Sequence, residues 1–281
     1  MLDWWYGLID FILPFQWTGH LFMKNALLAV LLVTPLFGIL GTMVVSNRMA
    51  FFSDSLGHGA FAGIALGAML GGIEPVWAAT LFSILFAVAI TLIKNRSKAS
   101  TDTIIGVFSS TAVALGLVIL SYGGSFNKFS SYLVGDLLSI APGEIVLLFA
   151  VFIAVVLLWL FIFNRVLMVS INQSLAASRG INTLLSEILF TCAIAVVVTI
   201  TIQWVGLLII NSLLVLPAAA ARNVTSNVRQ YHLAAVAISV VSGVAGLILS
   251  YYLNLASGAT IVLVSAIFFF SSLALRRSFQ S

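Results

Sequence analysis

An all-α, polytopic membrane helical bundle is the fold class this sequence predicts, and three observations predict it. Of 281 residues, 62% are hydrophobic and only 7% charged, whereas a soluble domain carries about 25% charged residues. Apolar runs near the roughly 20 residues needed to cross a bilayer recur along the chain, separated by short polar breaks. The lysines and arginines then sort almost entirely to one side of that division.

The runs give about nine spans (eight to nine): 21–45, 51–72, 75–93, 103–122, 145–163, 183–202, 204–221, 233–252 and 258–275. The stretch 192–221 decides the number. About 30 residues at 1.5 Å each make roughly 45 Å of helix, too long for one ordinary crossing, and Gln203-Trp204 is the natural hinge. With nine spans, Arg48, Lys94, Arg96, Lys98, Arg165, Arg179, Arg222, Arg229, Arg276 and Arg277 share one side. Lys24 and Lys128 fall on the other, with Asp3, Asp10, Glu74, Asp136 and Glu144. Merging 192–221 into one span destroys this asymmetry. The positive-inside rule then places the C-terminus in the cytoplasm and the N-terminus outside.

Before the first span, residues 1–20 lack a cleavable signal pattern. Trp4, Trp5, Tyr6 and Trp17 suit a headgroup-level belt, so this part is expected to lie at the interface. Residues 21–281 form a single transmembrane domain. Within it, the cytoplasmic segment 164–182 is expected to hold a short helix at Asn172–Ser178, with Gly180 as its C-cap. Outside, Gly123–Gly143 is long enough for Tyr132, Leu133 and Val134 to dip back toward the interface.

The sharpest chemical signal is Asp54 and His58. At i,i+4 both side chains lie on one helix face, offering one oxygen and one nitrogen ligand to a divalent transition metal. An aspartate near a helix centre costs about 2.5–3.5 kcal/mol to insert, less near an end. Asp54 alone is explained as an N-cap, and His58 alone as a hydrogen-bonded core histidine. The cap explains nothing about His58, so the pair favours a metal. Two protein ligands are too few for Zn²⁺, which takes four; water, another helix or a second subunit must supply the rest.

Gly59, Gly63, Gly67 and Gly71 recur every four residues beside that row, forming a ridge that lets a neighbouring helix approach closely. Asn211 and Ser212, in the middle of the seventh span, either bond across helices or line a path. Pro217 predicts a kink. Asp102 with Thr101 is expected to cap the fourth span, and Glu187 to snorkel or pair with Arg179. Cys192 is the only cysteine, which excludes internal disulfides and thiolate clusters. No Walker-type phosphate loop is present, so the chain is not itself an ATPase. No HExxH or G-x-S-x-G motif suggests an intramembrane enzyme, and the net charge of +4 follows topology rather than nucleic-acid binding.

Several ordered motifs resemble one family. Asp54-Ser55-Leu56-Gly57-His58 matches its D-[ST]-L-x-H, and Asp102 through Gly106 its D-[ST]-x-x-G. Tyr132 through Leu138 match Y-L-[FV]-G-D-[LI]-L, and Ser257 through Leu263 match S-G-x-[ST]-[IV]-V-L. Val205 through Arg222 match a longer pattern ending in P-A-A-x-A-R. The chain thus resembles the membrane permeases of bacterial ABC-type metal importers, the manganese/zinc/iron group, and within it is most similar to the zinc permeases. That resemblance implies a homodimer in the bacterial inner membrane, two cytoplasmic ATPase subunits and an extracytoplasmic metal-binding protein. It implies no resident cofactor; Zn²⁺, or else Mn²⁺ or Fe²⁺, is the cargo. It implies that Asp54 and His58 line the metal path and that Asn172–Ile181 couples to the ATPase through Ser174, Ala176, Ala177, Gly180 and Ile181. The family often has acidic residues where this chain has Asn172 and Ser174. From the residues alone, a gradient-driven secondary metal transporter is the rival class.

Overall fold

The computed structural model describes residues 2–71, 74–122 and 131–279; Lys128 and the other residues of 123–130 lie outside the described residues. Among those described are twelve α-helices and no strand. Seven are long and apolar enough to cross a membrane: α2 (Leu21–Ser46), α4 (Pro75–Arg96), α5 (Thr101–Tyr122), α7 (Pro142–Ile171), α9 (Thr183–Val205), α11 (Val228–Leu253) and α12 (Ser257–Phe279). Two more occupy the remaining expected segments. They are α3 (Phe52–Leu70), made less apolar by Asp54 and His58, and the shorter α10 (Leu207–Val224). The small helices are α1 (Asp3–Ile12), α6 (Ser131–Val134) and α8 (Gln173–Ser178).

Local chemistry sets the helix ends. Pro75 and Pro142 open α4 and α7 at the first helical turn, where a missing N–H costs nothing. Asn172, Asn182 and Asn227 cap α8, α9 and α11 by accepting from the backbone N–H of Leu175, Leu185 and Gln230. The α5 cap is Ser100, which accepts from Thr103 N–H, and not Thr101 or Asp102, which already lie inside the helix. The segment 164–182 is less of a loop than expected: α7 continues to Ile171 with no helix breaker in its path, and only then comes α8. Pro217 lies within α10, which runs on to Val224.

The helices fall into two groups. In one, α3 packs against α4, α5 and α9, and α9 against α4; in the other, α2, α10, α11 and α12 pack on one another. The groups meet where α10 lies along α3, and α7 bridges them by packing on both α2 and α9. At one end, Lys94 pairs with Glu187, so the expected partner Arg179 is replaced by a lysine from α4, because α4 and α9 are direct neighbours. Arg222 donates to the Val45 carbonyl at the same end. At the opposite end, Gln203 and Trp204 donate to Glu144.

Helix α1 has ten residues, about 15 Å, too short to span. It buries Trp5 and Ile9 and is tied to α2 by polar contacts. Trp5 Nε1–H donates to the Lys24 carbonyl at 3.0 Å, Tyr6 to Asn25 at 2.8 Å, and Lys24 pairs with Asp10 at 2.6 Å.

Candidate metal site

Helix α3 is wrapped by α4, α5, α9 and α10, and from Phe52 to Ala65 every one of its residues is buried except Asp54 and His58. Their side chains remain 38% and 23% exposed, with Asp54 Oδ2 and His58 Nε2 3.5 Å apart. The helix therefore presents to the outside only the carboxylate–imidazole pair over that length. Asp54 is not the N-cap: Phe51 holds that position without any side-chain bond, and Asp54 sits within the first turn. Among the described residues, no cluster of three or more His, Cys, Asp or Glu side chains forms.

The glycines hold the helix that bears the pair. A Cβ on Gly63 would lie 2.6 Å from the Ala79 Cα, one on Gly59 would lie 2.9 Å from the Phe86 ring, and one on Gly67 2.7 Å from the Ala78 methyl. The ridge is thus the α3–α4 contact surface. Gly71 does not extend it: it ends α3 at φ +66° with open space around it, a conformation suited to glycine. Asn211 resolves toward cross-helix bonding, accepting from Ser53 Oγ–H next to Asp54. Ser212 is half-buried on the same helix.

The expected coupling residues lie on and just after α8. Ser174, Ala177 and Gly180 are exposed and Ile181 is half-buried. Ala176 is fully buried and seats α8 against its own chain. Gly180, at φ +76°, lets the chain turn after α8 as expected.

Sequence reasoning placed the hinge at Gln203-Trp204; the break is at Gly206, φ +90°, where the backbone leaves the helical region. Three glycines converge there. Gly206 and Gly135 meet backbone to backbone, and Gly258 lies under Ile209 and the Val205 carbonyl. Asp136 N–H donates to the Gln203 carbonyl at 3.2 Å. Asp136, Glu144, Gln203 and Trp204 line an open cavity of about 470 Å³ beside this junction, with Tyr132 on its wall. Burial, then the Glu144 and Glu74 carboxylates, push the Tyr132 phenol up, which keeps it neutral. The signal for this junction lay in the motifs themselves, since three of them each contain one of these glycines.

Comparison with known proteins shows the family. The family model described as ABC 3 transport family matches residues 19–276. The chain belongs to that family. Its members are the membrane permease subunits of ABC transporters, not the subunits that hydrolyse ATP. This chain is 31% identical over 244 residues to the high-affinity zinc uptake system membrane protein ZnuB of Buchnera aphidicola, covering 86% of this chain and 93% of the relative. It is 28% identical over 249 residues, 89% of each chain, to the manganese transport system membrane protein MntC of Listeria innocua. The solved PsaBC complex from Streptococcus pneumoniae, bound to a Fab, contains a chain matching with TM-score 0.79 and 27% identity, over 97% of this chain and 95% of that one.

Proposed function

We propose that this ABC 3 permease imports a divalent first-row metal, with Zn²⁺ as the cargo, by alternating access across a bacterial inner membrane. The basic helix ends face the cytoplasm, as does the C-terminus. The observation that supports the reading most is that Asp54 and His58 are the two residues not buried between Phe52 and Ala65 of α3. Two copies of the permease would bring two such pairs together, giving the four nitrogen and oxygen ligands that Zn²⁺ takes. The extracytoplasmic binding protein delivers the ion, Asp54 and His58 hold it transiently, and two ATPase subunits drive the switch by moving α8. Nitrogen-plus-oxygen sets also suit Mn²⁺, and the relatives named for zinc and for manganese are similar in identity, so Mn²⁺ is the second reading.

The test is uptake. In cells lacking their own importer, His58→Ala should reduce uptake of the cargo metal to background while the permease still assembles with its ATPase on purification. Zn²⁺ accumulation by the unaltered protein that Mn²⁺ fails to compete supports the first reading, and the reverse supports the second. Full uptake by His58→Ala would remove the metal role.

A further inference from the structure

A chain of polar contacts runs from α8 to the turn beneath the metal pair, and neither the fold nor the proposed site requires it. Gln173 on α8 donates through Nε2 to Asn95 Oδ1 of α4 at 3.4 Å. Asn95 Nδ2–H donates in turn to Glu187 Oε2 of α9 at 2.9 Å. The other Glu187 oxygen pairs with Lys94, also on α4. Lys94 Nζ reaches the Met49 sulfur at 4.0 Å. Met49 is buried at 2% exposure, and its carbonyl accepts from Phe52 N–H at the first turn of α3, two residues before Asp54. Glu187 and Met49 also face each other across one crevice, together with Asn47, Val166, Val169 and Phe190.

The α2–α3 turn holds an uncommon backbone conformation. Arg48 sits at φ +55°, a left-handed conformation that costs a non-glycine residue of order 1–3 kcal/mol and marks positions the surroundings hold in place. Glu187 is only 10% exposed and Lys94 25%. A half-buried pair next to the membrane edge is a costly way to tie two helices that threonines already join, since Thr91 and Thr191 bond across the same α4–α9 seam at 3.1 Å.

We propose that Lys94, Asn95 and Glu187 are positioning residues that transmit displacement of α8 to the α2–α3 turn and so set the placement of Asp54 and His58. The proposal rests on the metal-import reading and deepens it. Drawing α8 away pulls on Asn95 through Gln173, and with it on the carboxylate of Glu187. Lys94 follows that carboxylate, and the support it gives Met49 changes. Tilting the start of α3 moves both ligands as one body, because they share a single helical turn.

The test uses the complete assembly of permease, ATPase and binding protein in proteoliposomes, with metal moved per ATP hydrolysed as the readout. Removing one partner of a buried pair leaves an uncompensated charge, so the single variants Glu187→Gln and Lys94→Met are compared with the double variant carrying both, which leaves neither charge. The single variants should keep basal ATP hydrolysis per assembled complex yet move at least about fivefold less metal per ATP, and so should the double variant, in which no lone charge remains. A ratio within about twofold of the unaltered assembly in both single variants would overturn the linkage. So would metal movement and hydrolysis falling in equal proportion, which is what a purely structural pair would give. Absence of any metal movement by the unaltered assembly would overturn the import reading, and the linkage with it.

Discussion

Gly63 and Gly106 are both helical glycines, but their surroundings give them opposite roles. A methyl on Gly63 would run into the α4 backbone, whereas Gly106 has nothing within 4 Å of where its Cβ would stand. Gly63→Ala should therefore destabilise the protein by about 1–3 kcal/mol through overpacking. Gly106→Ala should leave it unchanged or stabilise it by up to about 1 kcal/mol, because alanine is the better helix former. Thermal unfolding midpoints of the two variants in detergent check this, and similar midpoints would contradict the packing assigned to the ridge. The same scale explains why Asp54 and His58 were legible without a structure. An i,i+4 relation is local, so helix geometry alone puts both on one face. The Ser53–Asn211 bond joins residues 158 apart, and spacing carries no information about that; composition could only mark Asn211 as a polar group that needed a partner. The Lys94–Glu187 pair was misassigned for the same reason: the neighbour of α9 at that end is set by packing, and a closer arginine in sequence is no closer in space.

At the scale of elements, the α9–α10 junction holds the largest departure from the expected scheme. Span length alone demanded a break between 192 and 221, but its position depended on which residue adopts a backbone closed to side chains. That residue is Gly206, and the segment around Gly135 seats directly on it. Gly206→Ala forces a side chain into a region populated almost only by glycine, at about 1–3 kcal/mol, and also pushes its methyl into the Val134 carbonyl. We expect a sharply reduced yield of monodisperse protein on size-exclusion chromatography, with Gly7→Ala, in open space, as the unaffected control. Equal yields would show that the junction is not held as described. The segment 164–182 was half legible. The short helix expected at Asn172–Ser178 and its Gly180 end correspond to α8, with Asn172 as its cap, but nothing in an apolar helix tells where the membrane ends, so α7 running on to Ile171 was hidden.

For the whole molecule, the nine segments were readable because a bilayer imposes one length on every crossing and basic residues mark one face. The grouping into two halves that meet where α10 lies along α3 was not, since apolar helix faces look alike in sequence. That grouping places α3 at the centre with one polar edge showing, and on that edge the account of metal import depends. The most direct measurement is zinc K-edge X-ray absorption on the tag-free, metal-loaded assembly. The account predicts a nitrogen and oxygen shell with Zn–N distances of about 2.0–2.1 Å and an imidazole signature that His58→Ala removes. A spectrum unchanged by both His58→Ala and Asp54→Ala would contradict it.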